Sequence, residues 1–122
     1  MKNLEPKSLW ENFYSLTQIP RPSGKKEEIS AFLANYGRSL GLETIVDEIG
    51  NVIIRKPASA GYENHPGVIL QGHMDMVPQK NSDKVFDFEK DPIEAYVEDN
   101  GEWVTANGTT LGADSGIGVA VA

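Results

Sequence analysis

A histidine and an aspartate stand two residues apart in His73-Met74-Asp75, and a second aspartate, Asp114, lies inside the glycine-dense run 108–118. Neutral imidazole and carboxylate are good donors to a divalent transition metal, and a carboxylate that accepts the second ring N–H fixes the imidazole tautomer and raises its basicity. In an extended backbone, residues two apart project to the same side. His73 and Asp75 therefore read as a metal ligand and its support. Around Asp114, glycines at 112, 116 and 118 permit sharp turns and close backbone approach. A flexible loop entering a helix would account for those glycines, but not for the acid embedded among them. The chain has no cysteine, so disulfides and thiolate metal sites are excluded and any metal must be held by imidazole and carboxylate.

The elements that must position these groups can be read from periodicity. Behind Gly67, the run Val68-Ile69-Leu70-Gln71 predicts a strand covered on both faces, followed by a tight turn at Gly72. His73 and Asp75 would then lie at a strand's carboxyl end, where ligand sites of open α/β sheets are found. Upstream, Ser8-Leu9-Trp10-Glu11 matches a capping box, and Leu9, Phe13, Leu16 and Ile19 predict a helix over 8–19 that Pro20 stops. After the linker Pro20-Arg21-Pro22, Ser23 is the predicted N-cap of a second helix over 24–40, with Ile29, Phe32, Leu33, Tyr36 and Leu40 at helical spacing and Gly41 as its end.

Residues 44–48 and 52–56 predict a hairpin around Gly50-Asn51, and 93–97 with 103–105 predict another around Asp99-Asn100-Gly101. Between them the polar run 79–91 reads as a loop near the site. Its acids lack the spacing, the glycine and the terminal Glu of an EF-hand. His65, followed by Pro66 and without a carboxylate at metal-site spacing, reads as a surface residue. The segment 116–122 is wholly apolar and carries no helix-stop signal, as expected of an unfinished element.

With 122 residues, 39% hydrophobic and 24% charged, the chain has ordinary globular usage and enough length for one domain with a modest core. A net charge of −7 argues against nucleic acid or an anionic membrane surface as partner and favours small or neutral substrates. No apolar run has signal-peptide or membrane-spanning length, so the expected location is cytoplasmic.

The two stretches Gln71-Gly72-His73-Met74-Asp75-Met76-Val77-Pro78 and Thr110-Leu111-Gly112-Ala113-Asp114-Ser115-Gly116-Ile117-Gly118 together resemble the dizinc exopeptidase family of aminoacylases, carboxypeptidases and dipeptidases. In that family a G-H-x-D motif ending a strand is followed by a glycine-flanked Asp. The phrases at 10–14 and 19–28 look like the same family, so the resemblance covers essentially the whole chain. It implies an α/β fold, a three-layer α/β/α arrangement around a mixed sheet, incomplete in this chain. Residues 1–122 would be the amino-terminal part of the catalytic metallopeptidase domain.

The resemblance makes His73 a ligand of one metal, Asp75 the catalytic-site carboxylate that orients its ring, and Asp114 the carboxylate bridging two metals, with the Asp114–Ser115 peptide cis. The expected cofactor is zinc, two ions in the complete enzyme, with cobalt or manganese as alternative occupants. The implied activity is hydrolysis of dipeptides of the Xaa-His type by a dizinc-activated water. The general-base glutamate, a neighbouring glutamate ligand and a later Asp and His of the family pattern do not occur in this chain, so this piece alone is expected to be inactive. The implied partner is a small peptide substrate; separately, the apolar residues 117, 119 and 121 are expected either to fray or to be buried against a further copy of the chain, association being the favoured outcome.

Two other classes compete with this reading. Asp114-Ser115-Gly116 is similar to a serine-protease signature, but a triad needs its His and Asp on separately positioned elements, whereas His73 and Asp75 are two residues apart. A non-catalytic metal-binding or interaction domain would keep the scaffold without the chemistry.

Overall fold

Apolar residues at positions 9, 13 and 16 recur once per helical turn, and the element they build lies at the centre of the molecule. The computed structural model describes residues 1 and 3–122. Helix α1 spans Lys7–Thr17 and α2 spans Glu27–Ser39. Strands β1 (Glu43–Val46), β2 (Val52–Arg55), β3 (Ala95–Val97) and β4 (Val104–Ala106) follow, and α3 (Ala113–Val121) comes last. Phe13 and Leu16 of α1 are buried with Ile29 of α2 and Ala120 of α3, and Leu9, Trp10, Phe32, Leu33, Ile117 and Val119 close around them. Full burial of a side chain such as Phe13 contributes about 1.5–3 kcal/mol.

Both helices begin elsewhere than the capping signals suggest. The N-cap of α1 is Pro6, and the first-turn amide of Lys7 is met by Glu5 Oε2 at 3.1 Å, so Ser8 lies inside the helix and does not cap it. The N-cap of α2 is Lys26, because the chain from Pro22 to Ser23 is engaged with the segment that follows His73. The far end of α2 is as predicted: the amide of Gly41 donates to Arg38 O and that of Leu42 to Gly37 O.

The strands form two separate antiparallel pairs, β1 with β2 and β3 with β4. Asp47 sets the first turn. Its carboxylate accepts from the amides of Ile49 and Asn51 and from the Asn51 side chain, and these bonds, the Asn51 side chain first, hold its pKa below the usual value. Helix α2 lies on this hairpin through Gly37, where a Cβ would stand 2.5 Å from Thr44 Oγ1 and 2.9 Å from Ile54 Cγ1. Only glycine permits that approach.

The chain is thus an α/β piece of helices and small sheets, incomplete as expected. The run at 68–71 is the main departure. It forms no strand among the described residues, and Val68, Ile69 and Leu70 are 82%, 91% and 66% exposed. Hydrophobicity can propose a strand, but a ladder needs a neighbour whose N–H and C=O groups meet it. None of the described strands lies beside it.

Most of the apolar segment 116–122 falls in α3, which packs on α1 and is tied to it by Asn12 Nδ2 donating to Ala120 O at 3.3 Å. Ile117 and Val119 are half-buried there, whereas Val121 is exposed. Among the described residues, no helix is long and apolar enough to cross a membrane.

Candidate metal centre

His73 follows the unpaired run directly, and its position is set by what comes after it. Met76 is buried and makes a parallel bridge with Pro22: its amide donates to Arg21 O at 2.9 Å, and the Ser23 amide donates to Met76 O at 3.0 Å. Asp114 arrives from the other side. Gly112, at φ +77°, is the N-cap of α3, and Asp114 and Ser115 keep non-helical backbone angles before the helix proper begins. The Asp114–Ser115 peptide is cis. The segment before it is laced to the start of the polar loop by the Thr110 amide on Gln79 O and the Asn81 amide on Gly108 O.

These two loops bring the three sequence-predicted residues together. His73 Nε2 lies 3.0 Å from Asp114 Oδ1 across 41 residues of chain. On the other side of the ring, Nδ1 lies 3.0 Å from the backbone oxygen of Asp75 and 3.1 Å from its Oδ1. The hydrogen bond to Asp114 is the largest influence raising the His73 pKa, and the two carboxylate charges add to it. Asp75 is pushed the opposite way, chiefly by the 2.6 Å hydrogen bond it accepts from Ser23 Oγ, then by the His73 charge. Asp114 is almost wholly open to solvent, with 97% of its side chain exposed.

The donor set fits a divalent metal. Ligand atoms on a tetrahedral zinc at about 2.0–2.1 Å stand about 3.3 Å apart, close to the 3.0 Å between His73 Nε2 and Asp114 Oδ1. Asp75 meets the other ring nitrogen, so Nε2 is the nitrogen that can take a metal. The set is also short of a full shell: no group of three or more His, Cys, Asp or Glu that could hold a metal is found among the described residues.

The serine-protease pattern is not assembled. Both ring nitrogens of His73 face Asp75 and Asp114, and Ser115 Oγ packs close to Gly72 and Gly118. His65 is exposed and lies against Tyr62, with ring centroids 4.8 Å apart, away from the site.

Two residues that sequence reasoning passed over are built into this centre. Arg21 is 2% exposed, and its guanidinium donates to Leu16 O (3.4 Å), Met74 O (3.1 Å), Asp75 O (3.5 Å) and Gly112 O (2.9 Å). Burial lowers its pKa, and the nearby Asp75 carboxylate opposes that. Ser23, read as a helix cap, holds Asp75 instead. The only sequence signal for either is an arginine wedged between two prolines, which by itself reads as linker.

No family model matches the chain. It is 49% identical over all 122 residues to the cytosol non-specific dipeptidase of Escherichia coli K12, of which it spans 25%. The crystal structure of an aminoacylhistidine dipeptidase from Vibrio alginolyticus superposes with a TM-score of 0.93 at 49% identity, covering 98% of this chain and 24% of that one. A tripeptidase from Staphylococcus aureus gives a TM-score of 0.74 over 96% of this chain and 30% of its own, at 24% identity, a likeness of fold alone. The chain is therefore similar in sequence and fold, over nearly its whole length, to these two dipeptidases, and it spans about a quarter of the length of each.

Proposed function

We propose that these 122 residues are part of the catalytic domain of a zinc-dependent dipeptidase, acting in the cytosol on dipeptides of the Xaa-His type. The observation that carries this reading is the 3.0 Å approach of His73 Nε2 to Asp114 Oδ1, with Asp75 on the opposite ring nitrogen. The relatives' printed names, a cytosol non-specific dipeptidase and an aminoacylhistidine dipeptidase, support the substrate class and the location.

In this reading His73 offers Nε2 to one metal, and Asp75, by holding the Nδ1 proton, keeps that lone pair aimed outward. Asp114 presents one carboxylate oxygen toward His73 and has the other free in solvent for a second ion. When bound, zinc would lower the pKa of a water and polarise the scissile carbonyl. The remaining ligands and the general base come from elsewhere in the longer protein, since zinc sites use three or four ligands and His73 and Asp114 supply two. This chain by itself is inactive and holds zinc weakly.

The test uses the full-length enzyme. Chelation should abolish hydrolysis of an Xaa-His dipeptide and zinc should restore it, while His73→Ala and Asp114→Ala should each lose both activity and zinc stoichiometry. Full zinc occupancy in both variants would overturn the assignment. An alternative reading, a non-catalytic metal-binding domain, would be supported by zinc uptake at full stoichiometry with no peptide turnover.

A further inference from the structure

The two segments that carry His73 and Asp114 are tied away from the site by the Thr110 amide on Gln79 O, the Asn81 amide on Gly108 O and Thr110 Oγ1 on Val77 O, whereas beside the site their side chains meet. A second tie, next to His73 and Asp114 themselves, comes from the short linker between α1 and α2. Arg21 donates from one end of its guanidinium to Met74 O and Asp75 O, on the His73 loop, and from the other to Gly112 O, on the Asp114 loop. Among the described residues no carboxylate accepts a hydrogen bond from it; its donors meet backbone carbonyls, which its planar fork can span where a point charge could not. Two residues on, Ser23 Oγ donates to Asp75 Oδ2 at 2.6 Å, with Met76 O a more distant acceptor at 3.2 Å. The two oxygens of Asp75 are thereby divided, Oδ1 on His73 Nδ1 and Oδ2 on Ser23. A carboxylate held at both oxygens cannot rotate away from the imidazole.

We propose that Arg21 and Ser23 are positioning residues of the metal centre, Arg21 setting the spacing of the His73 and Asp114 loops and Ser23 fixing the Asp75 carboxylate that orients the His73 ring. This rests on the assignment of His73 and Asp114 as metal ligands. Ser23 itself is exposed, so removing its hydroxyl opens no cavity and should leave the unloaded protein's stability within about 0.5 kcal/mol. The loss should be felt where Asp75 acts, in the affinity of the imidazole for metal. Partners that orient a liganding histidine are worth roughly 10- to 100-fold in metal affinity, and Ser23, one bond further out, should lie near the lower end of that range.

The experiment is zinc titration against a competing chelator, using full-length enzyme stripped of metal, with thermal unfolding of the same metal-free samples. Ser23→Ala should weaken zinc binding about tenfold at an unchanged midpoint of unfolding, and Ser23→Thr, which keeps the hydroxyl, should restore it. Arg21→Lys should also weaken zinc binding, because one ammonium cannot reach both loops. Wild-type zinc affinity in Ser23→Ala, or a loss that Ser23→Thr fails to restore, would overturn the proposal. The underlying ligand assignment has its own control: if His73→Ala binds zinc like the wild type, that assignment fails, whatever Ser23 does.

Discussion

Arg21 Nη2 donates to Gly112 O at 2.9 Å, and a Cβ built on Gly112 would stand 2.6 Å from that same nitrogen. The glycine also sits at φ +77°, where side chains are strained. Gly112→Ala should therefore destabilise the protein by roughly 2–3 kcal/mol, combining the cost of the left-handed backbone with displacement of a buried, hydrogen-bonded guanidinium. Denaturant unfolding of the full-length protein would check it. A change below about 0.5 kcal/mol would mean that Arg21 is free to yield.

Asp75 touches the imidazole and Ser115 does not. Asp75→Ala in the full-length enzyme should lower zinc affinity or rate by roughly 10- to 100-fold, while Ser115→Ala should leave the chemistry largely intact. Measuring kcat and zinc content of both variants separates the metallopeptidase from a serine nucleophile. Near-total loss of kcat in Ser115→Ala with zinc retained would favour the latter.

Glu94 accepts from Lys84 Nζ at 2.9 Å and from Asn107 Nδ2 at 2.7 Å, tying the loop at 79–91 to the hairpin of β3 and β4. The Lys84 contact is the main cause holding its pKa below the usual value, with Asn107 next. Because the folded pKa is depressed, the stabilisation is present above the unfolded value and is lost as pH falls through the folded one. In an NMR titration of the side-chain carboxyl, Lys84→Met should move the Glu94 midpoint upward. No movement would mean that the ion pair is not formed in solution.

Val68, Ile69 and Leu70 present an exposed apolar run beside unpaired backbone, the combination that favours edge-to-edge association. The apolar carboxyl-terminal segment contributes less, since Ile117 and Val119 pack on the core and Val121 is the exposed member. The 122-residue polypeptide should self-associate in light scattering, and Ile69→Lys should shift it toward monomer. A monomer before the substitution would count against association through this run.

The amino-acid sequence by itself determined most of the local elements and named the candidate site residues. Apolar spacing marked α1 and α2, turn residues marked both hairpins, and His73, Asp75 and Asp114 were singled out by residue type and spacing. These are short-range properties, and neighbouring residues suffice to express them. The tertiary structure alone decided how the parts meet. Ser8 and Ser23 both look like helix caps, yet Ser8 lies within α1, and Ser23 donates its hydroxyl to the Asp75 carboxylate that folding brings beside it while α2 starts later, after Lys26. The run at 68–71 has a strand's composition but no ladder, since pairing depends on partners that periodicity cannot supply. Arg21 shows the limit most sharply: an arginine between two prolines reads as linker, and only the convergence of Leu16, Met74 and Gly112 carbonyls around it makes its burial affordable and joins the two halves of the site.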